Sequence, residues 1–345
     1  MLTEFEARRA CHWLLLRLAG RLPDGLMTGS RHLLHEGRYR EMAMDLTLAV
    51  VGHGLRPTRD DARCLVELLH DDGSGLAALV LAQSSYGDPM PRHWFGPAAA
   101  GRGVSAGHVD EAAVAAASAE HGARGLWRAW RHPPGGHERA AKRVFVVEVD
   151  AGSDAVGLAD RLQYRIAAAG EPCPQVEVYP AGEWLPAYQR TARAEGDLLW
   201  SADPDPGIRI ASVVEGCVGI HPAALECAPR IDDLYERERL LGYLEAGTPI
   251  LITTALIYDV IHRDRGRVVP MSFRTDGTWI WSDITPYYLR THGIRPESAL
   301  LEHIRSNGYE MPPVDGVAEF RTTSVLYRRA DDDADDDAAG AQEKR

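Results

Sequence analysis

Lysine is almost missing from this chain. Of its 38 basic residues in 345, only Lys142 and Lys344 are not arginine. The arginines gather into no basic stripe, and the formal net charge is −12. A protein that tracks a nucleic-acid backbone needs such a stripe to displace counterions, so general nucleic-acid binding is excluded. Cysteine is sparse too. Cys11, Cys64, Cys173, Cys217 and Cys227 are odd in number and scattered in spacing, which fits reduced thiols and no disulfide framework. There is no C-x-x-C pair and no H-E-x-x-H, so no metal site is expected. Long apolar runs are lacking, so no bilayer span is expected. The opening MLTEFEARRACHWLLLRLAGRL places acids before a short apolar stretch and arginines within it. It reads as an amphipathic helix and not as a signal peptide, and the expected location is cytoplasmic.

Catalytic signatures are also absent. No glycine-rich loop followed by Lys-Ser/Thr cradles a phosphate, and Lys142 stands in the wrong setting. Gly101, Gly103 and Gly107 do not match the dinucleotide fingerprint. No G-x-S-x-G elbow occurs. His262-Arg263-Asp264 imitates a kinase catalytic tripeptide, but its companions are missing, so it reads as an exposed loop. Cys217, His221 and Cys227 read as two buried thiols and a loop histidine. No catalytic residue and no cofactor is expected.

What is present is a sequence of punctuated elements. Residues 1–86 carry helix-period apolar residues broken at Leu22-Pro23-Asp24-Gly25 and stopped by Gly52, Gly54 and Gly73, with Thr58 as a helix cap. This predicts an N-terminal helical bundle. Residues 87–142, rich in Gly and Pro near their start, predict a linker with one helix from Asp110 to Trp130. Residues 143–330 predict an α+β domain in two parts. In 143–230, RVFVVEV, a helix capped by Asp154, and QVEVY form a βαβ unit or its split antiparallel variant. In 231–330, a helix from Asp232 to Ala246 precedes the strand TPILITTALIYDVI, a hairpin turning at Thr275-Asp276-Gly277, a helix capped by Thr285 and another opened by Pro296. The acidic end, 331–345, predicts a disordered tail. The fold class is therefore mixed α+β: a helical bundle followed by central and C-terminal sheet-containing modules.

Aromatic residues make up only 7% of the chain, yet they crowd into PMSFRTDGTWIWSDITPYYLRTHG. Strand alternation places Trp279 and Trp281 on one face, with Thr278, Ile280 and Ser282 on the other. The Trp face can pack on neighbouring helices. It can also form an anchor surface for a protein partner, with Arg274, Trp279, Trp281, Tyr287 and Tyr288 as contacts and Asp276 and Asp283 meeting basic groups. A paired-carboxylate hydrolase is a third reading, but Asp276 and Asp283 stand at opposite ends of one strand, a poor geometry for acid–base work.

Three segments carry a resemblance: Tyr243-Leu244-Glu245-Ala246-Gly247-Thr248-Pro249, then Ser272 through Trp281 (SFRTDGTWIW), then Tyr287-Tyr288-Leu289. They look like a module recurring in actinobacterial, Streptomyces-type proteins, and the arginine-, alanine- and glycine-rich composition suits a G+C-rich genome. The block VFVVEVDAG…PQVEVYPAGEWLPAYQRTAR…LLW resembles the region preceding that module. Such proteins resemble the immunity proteins that accompany polymorphic toxins. The resemblance implies a cytoplasmic, non-enzymatic inhibitor that binds a cognate toxin domain. The acidic body suits a basic toxin such as a nuclease. The readings kept beside it are an enzyme of unrecognised type and a scaffold or regulatory subunit.

Overall fold

Thr3 and Glu6 open the first helix with a reciprocal cap: Glu6 N donates to Thr3 Oγ1 at 3.3 Å and Thr3 N to Glu6 Oε2 at 2.9 Å. Both amides would otherwise lack intrahelical partners. The structure, a computed structural model, describes residues 3–69, 75–84, 93–96, 105–134, 141–213, 215 and 222–342. It divides into two units, Met1–Asp203 and Pro204–Arg345.

The first unit begins with the expected helices, α1 (Glu4–Leu18), α2 (Asp24–His35), α3 (Tyr39–Gly52), α4 (Arg59–Leu69) and α5 (Leu76–Gln83). Thr58 caps α4 as expected, its Oγ1 accepting from Asp61 N at 3.1 Å. The expected stop at Gly73 lies outside the described residues. Apolar side chains at helical spacing, among them Leu14, Leu18, Met27, Leu46 and Leu65, meet in one core. Cys11 and Cys64 are buried in it. A hydrogen bond with Cys64, then burial, pushes the Cys11 thiol far up, so it stays protonated.

The same unit continues with β1 (Trp94–Gly96), α6 (Ser105–Ser118), β2 (Ala123–His132), β3 (Lys142–Val149), α7 (Ala155–Ala168), β4 (Gln175–Pro180), α8 (Ala187–Ala194) and β5 (Asp197–Ser201). The sheet runs β1-β2-β3-β4, with β5 also paired to β2. Asp154 caps α7 through Gly157 N at 3.1 Å, and β3 and β4 are parallel, so the strand–helix–strand reading resolves to a βαβ unit. The expected linker is corrected here. The described part of 87–142 supplies β1, α6 and β2, and β2 pairs on both its edges. The expected Asp110–Trp130 helix is two elements, α6 and then β2. The sequence of β2, ARGLWRAWRH, disguises a buried strand because its arginines enter the interior with partners: Arg128 pairs with Asp110, and Arg131 with Asp24 at 2.8 Å.

One sheet face meets α6 and α7 through Leu126, Phe145, Val147, Val176 and Val178. On β4 the side chains that alternate with Val176 and Val178, Gln175 and Glu177, are polar and bond to helices. Glu177 accepts from Arg31 Nη2 at 2.5 Å and from Gln189 Nε2 at 2.9 Å, while Gln189 Nε2 also reaches Leu16 O at 2.8 Å. His12 Nε2 lies 2.9 Å from Val178 O, and Gln175 Nε2 donates to Asp24 O at 3.2 Å. Buried polar groups thereby fix how α1, α2 and α8 seat on the strands.

The second unit contains β6 (Arg209–Ile210), α9 (Pro222–Cys227), α10 (Leu234–Ala246), β7 (Thr248–Leu251), β8 (Leu256–Tyr258), β9 (Arg267–Pro270), β10 (Phe273–Thr275), β11 (Trp279–Ser282), α11 (Ile284–His292), α12 (Ser298–Ser306) and α13 (Gly316–Gln342). Its sheet runs β6-β11-β10-β7, and β8 and β9 form a separate ribbon. The expected hairpin is β10–β11, with Gly277 at φ +94 in the turn, a conformation that favours glycine. The single strand expected from TPILITTALIYDVI is two, β7 and β8. Thr285 is not the cap of α11; the helix starts two residues earlier than that cap implies, at Ile284 after Asp283, whose side chain is engaged elsewhere. The acidic end, expected to be disordered, continues α13 as far as Gln342. A helix already nucleated by residues packed on the fold propagates readily through an alanine-containing run.

Candidate functional site: the hairpin module and its β-arm

The C-terminal carbonyls of α10 have no partner within the helix. The hairpin supplies them. Trp281 Nε1 donates to Leu244 O at 3.0 Å, and Arg274 Nη1 donates to Glu245 O at 3.0 Å and Gly247 O at 3.1 Å. Arg274 Nε meanwhile pairs with Asp283 at 2.7 Å. Gly247 lets the helix end come this close, since a Cβ there would lie 2.4 Å from Trp281 Cζ2. Leu244, Glu245, Gly247, Arg274 and Trp281 thus form one helix-capping device.

Asp276 anchors the turn. Its Oδ1 accepts from Thr278 N at 2.9 Å and Trp279 N at 2.8 Å. Its Oδ2 accepts from the Tyr243 hydroxyl at 2.6 Å and His303 Nε2 at 2.7 Å. Burial alone would raise this carboxyl, but the bonds from Tyr243, Trp279 N and Thr278 N and the nearby His303 hold it below the usual range. Burial, with the bond to Asp276, pushes Tyr243 up, so its proton stays on the hydroxyl.

A second aspartate repeats the pattern. Asp259 Oδ1 accepts from Ile261 N at 3.0 Å and His262 N at 3.2 Å, and its Oδ2 from Tyr287 Oη at 3.0 Å and His292 Nε2 at 2.8 Å. Burial raises this carboxyl too, and bonds from His292, His262 N and Tyr287 outweigh it, leaving it lowered. Tyr288 accepts from Val260 N at 3.1 Å. In both nodes one oxygen closes the turn through the amides two and three residues on, and the other fastens a tyrosine and a histidine from helices.

The seven expected contact residues therefore fall into structural positions. Trp279, Trp281, Asp276 and Tyr288 are buried, and Arg274, Asp283 and Tyr287 are partly buried with partners inside the fold. The Trp face packs on Leu240, Leu244, Leu300 and Ile304, so it is not an open anchor surface. The opposite face is covered as well: Ile280 is fully buried, and α13 lies along β7 and β11. Asp276 and Asp283 serve different partners and form no carboxylate pair. Cys217 and His221 lie outside the described residues, as do Gly101 and Gly103. Sequence reasoning missed Tyr243, Asp259, His292 and His303 as members of these nodes. Only Asp259 left a signal, as the lone carboxylate in TPILITTALIYDVI.

A carboxylate beside an imidazole can orient a general base. At His303, however, Thr278 Oγ1 approaches the nitrogen already facing Asp276, at 3.4 Å, and itself lies 2.9 Å from Asp276 Oδ1. It is a hydrogen-bond partner of the node and not a nucleophile. A groove of about 220 Å³ in this unit is lined by Glu215, Cys227, Ala228 and Arg295 and includes neither node.

What the unit does expose is an arm. From β7 and β10 the antiparallel pairing passes through Thr253 and Ser272, where Thr253 N donates to Ser272 Oγ at 3.2 Å, and continues as β8 and β9. Ile257 and Val269 turn inward and pack with Ile284 and Tyr288. Leu256, Tyr258 and Val268 turn outward, 45%, 49% and 39% exposed, and Ile252 just before them is 76% exposed. Arg267 lies over the Tyr258 ring at 5.4 Å. At the tip, His262, Arg263, Asp264 and Arg265 are all exposed. Among the described residues, no helix is long and apolar enough to cross a membrane. In comparisons with known proteins, no family model, no curated protein and no solved structure matches this chain.

Proposed function

We propose that this is a non-enzymatic binding protein of the immunity type, which neutralises a toxin domain by covering its working surface. One observation supports the reading most: polar side chains of the C-terminal module are engaged in capping and turn nodes, while the β-arm beside them presents exposed apolar and basic groups. Side chains spent on internal bonds give rigidity, and a rigid, preformed face binds without ordering costs. Occlusion needs only shape and charge complementarity over such a face.

Co-expression tests this directly. Cells producing a toxin domain taken from the gene's neighbourhood should grow when the protein is present, and the two chains should co-purify. Absence of both rescue and complex overturns the reading. An enzymatic alternative draws on one feature, the His303 side chain, 23% exposed and backed by Asp276. Substituting His303→Gln separates the two: neutralisation persists if the protein acts by binding, and is lost without loss of the complex if His303 does chemistry.

A further inference from the structure

We infer that the β8–β9 arm is a docking surface for an acidic, extended segment of a protein partner. This rests on the binding-protein reading above and names the chemistry of what is bound. Three observations meet at the arm.

First, β8 and β9 pair only with each other among the described residues, so each has an edge that no described strand occupies. An open edge offers backbone donors and acceptors to an added strand, and main-chain pairing is a common source of peptide affinity. Second, the outward face carries Leu256, Tyr258 and Val268, which give an incoming strand apolar contacts on alternate residues. Third, the charge is local and net positive. Arg263, Arg265 and Arg267 are exposed and form no ion pair among the described residues, against the single exposed carboxylate of Asp264. In a chain of net charge −12, this basic tip stands apart. At physiological salt, charges beyond about 8 Å are screened, so the tip's own sign governs short-range docking. An acidic segment with apolar residues at every second position satisfies all three features. A nucleic acid satisfies only the third, and its dense negative charge meets an acidic body. An acidic segment is thus called for at this surface, where net charge alone suggests a basic partner.

The test uses the full-length protein and two synthetic peptides, one alternating Asp or Glu with Val, the other alternating Lys with Val. Binding is followed by fluorescence anisotropy at low and high salt. The acidic peptide is expected to bind and to weaken with salt, and the basic one not to bind. Arg263→Glu, Arg265→Glu and Arg267→Glu together should weaken binding at least tenfold, with an unchanged circular dichroism spectrum and melting temperature. Leu256→Pro, which blocks edge pairing, should do the same while leaving the charge intact; if it also lowers the melting temperature, Tyr258→Ser replaces it. Equal binding of both peptides, or charge-reversed protein that binds as well as the original, overturns the proposal. Tighter binding of a single-stranded oligonucleotide overturns it in favour of nucleic acid. Arginine-dependent self-association without peptide binding overturns it in favour of a second copy. If toxin neutralisation survives the arginine substitutions, the arm proposal fails and the immunity reading stands. If the peptide binds at the arm but no toxin is neutralised, the immunity reading fails alone.

Discussion

His303 Nε2 stands 2.7 Å from Asp276 Oδ2, and the Tyr243 hydroxyl reaches the same oxygen at 2.6 Å. One carboxylate oxygen thus joins α12 and α10 to the hairpin turn, while the other holds the turn itself. Replacing Asp276 by Asn keeps the shape but turns an amide toward two donors. The expected loss is roughly 3 kcal/mol, the scale seen when one partner of a buried charged network is removed. Urea unfolding followed by tryptophan fluorescence measures it. A loss below about 1 kcal/mol would show that the node is not a main support of the module.

Acid should unfold this module through the same groups. Asp259 and Asp276 both titrate below the ordinary value of 3.8 in the folded state. As pH falls, the unfolded chain takes up protons first. Their contribution is therefore complete above 3.8 and is lost as pH falls below it, through the folded values. Unfolding midpoints across this range should drop for the original protein and drop less for Asp276→Asn.

His12 predicts a separate and higher window in the first unit. Burial outweighs its bond to Val178 O and pushes its pKa from 6.5 down to about 4. The unfolded chain then binds a proton that the folded chain refuses. Stability is full above 6.5 and falls as pH drops from 6.5 toward 4, by roughly 3 kcal/mol in all. His12→Gln offers an uncharged donor and should flatten this window. An unchanged slope between those values would assign the effect to another group.

The Arg31–Glu177 pair makes a prediction in two steps. Both side chains are buried and their contact is 2.5 Å. Glu177→Gln leaves a guanidinium in the interior with no counter-charge and should cost about 3–5 kcal/mol. Arg31→Met with Glu177→Leu removes both charges, and should recover most of that loss in chemical denaturation. A double variant as unstable as the single one would mean that the pair orders the interface in ways packing cannot replace.

Two glycines of α10 should respond oppositely to the same substitution. At Gly247 a Cβ would lie 2.4 Å from the buried Trp281 ring and 3.1 Å from Arg274 Cβ, an atom fixed to its strand, and neither can yield. Its φ of −54 is ordinary, so Gly247→Ala fails by overpacking and not by backbone strain, at about 1–3 kcal/mol. Gly242 lies inside the helix with nothing within 4 Å of such a Cβ. Gly242→Ala should stabilise by up to about 1 kcal/mol through helix propensity. Thermal melts of the two variants should shift in opposite directions.

Local rules settled much of this molecule before any tertiary contact. The Thr58 and Asp154 caps, the strands RVFVVEV and QVEVY, and the turn at Asp276-Gly277 depend on neighbours within a few residues, so the chain itself specifies them. β2 was hidden because its arginines find acids far along the chain, Asp110 and Asp24, and no local pattern announces a partner so distant. The same reason hid the two aspartate nodes. His303 and Tyr243 lie 27 and 33 residues from the carboxylate they share.

The sequence alone determined that Trp279 and Trp281 share a face, because side-chain alternation is a property of one strand. Whether that face is open or covered depended on where α10 and α12 come to rest, and burial is decided by the sum of remote contacts. The tertiary structure covered it and turned outward another surface, the arm of Leu256, Tyr258 and Arg267, whose residues look unexceptional in the chain. Their exposure follows from Ile257 and Val269 facing inward on the same two strands, an orientation that strand pairing sets and that no single strand carries.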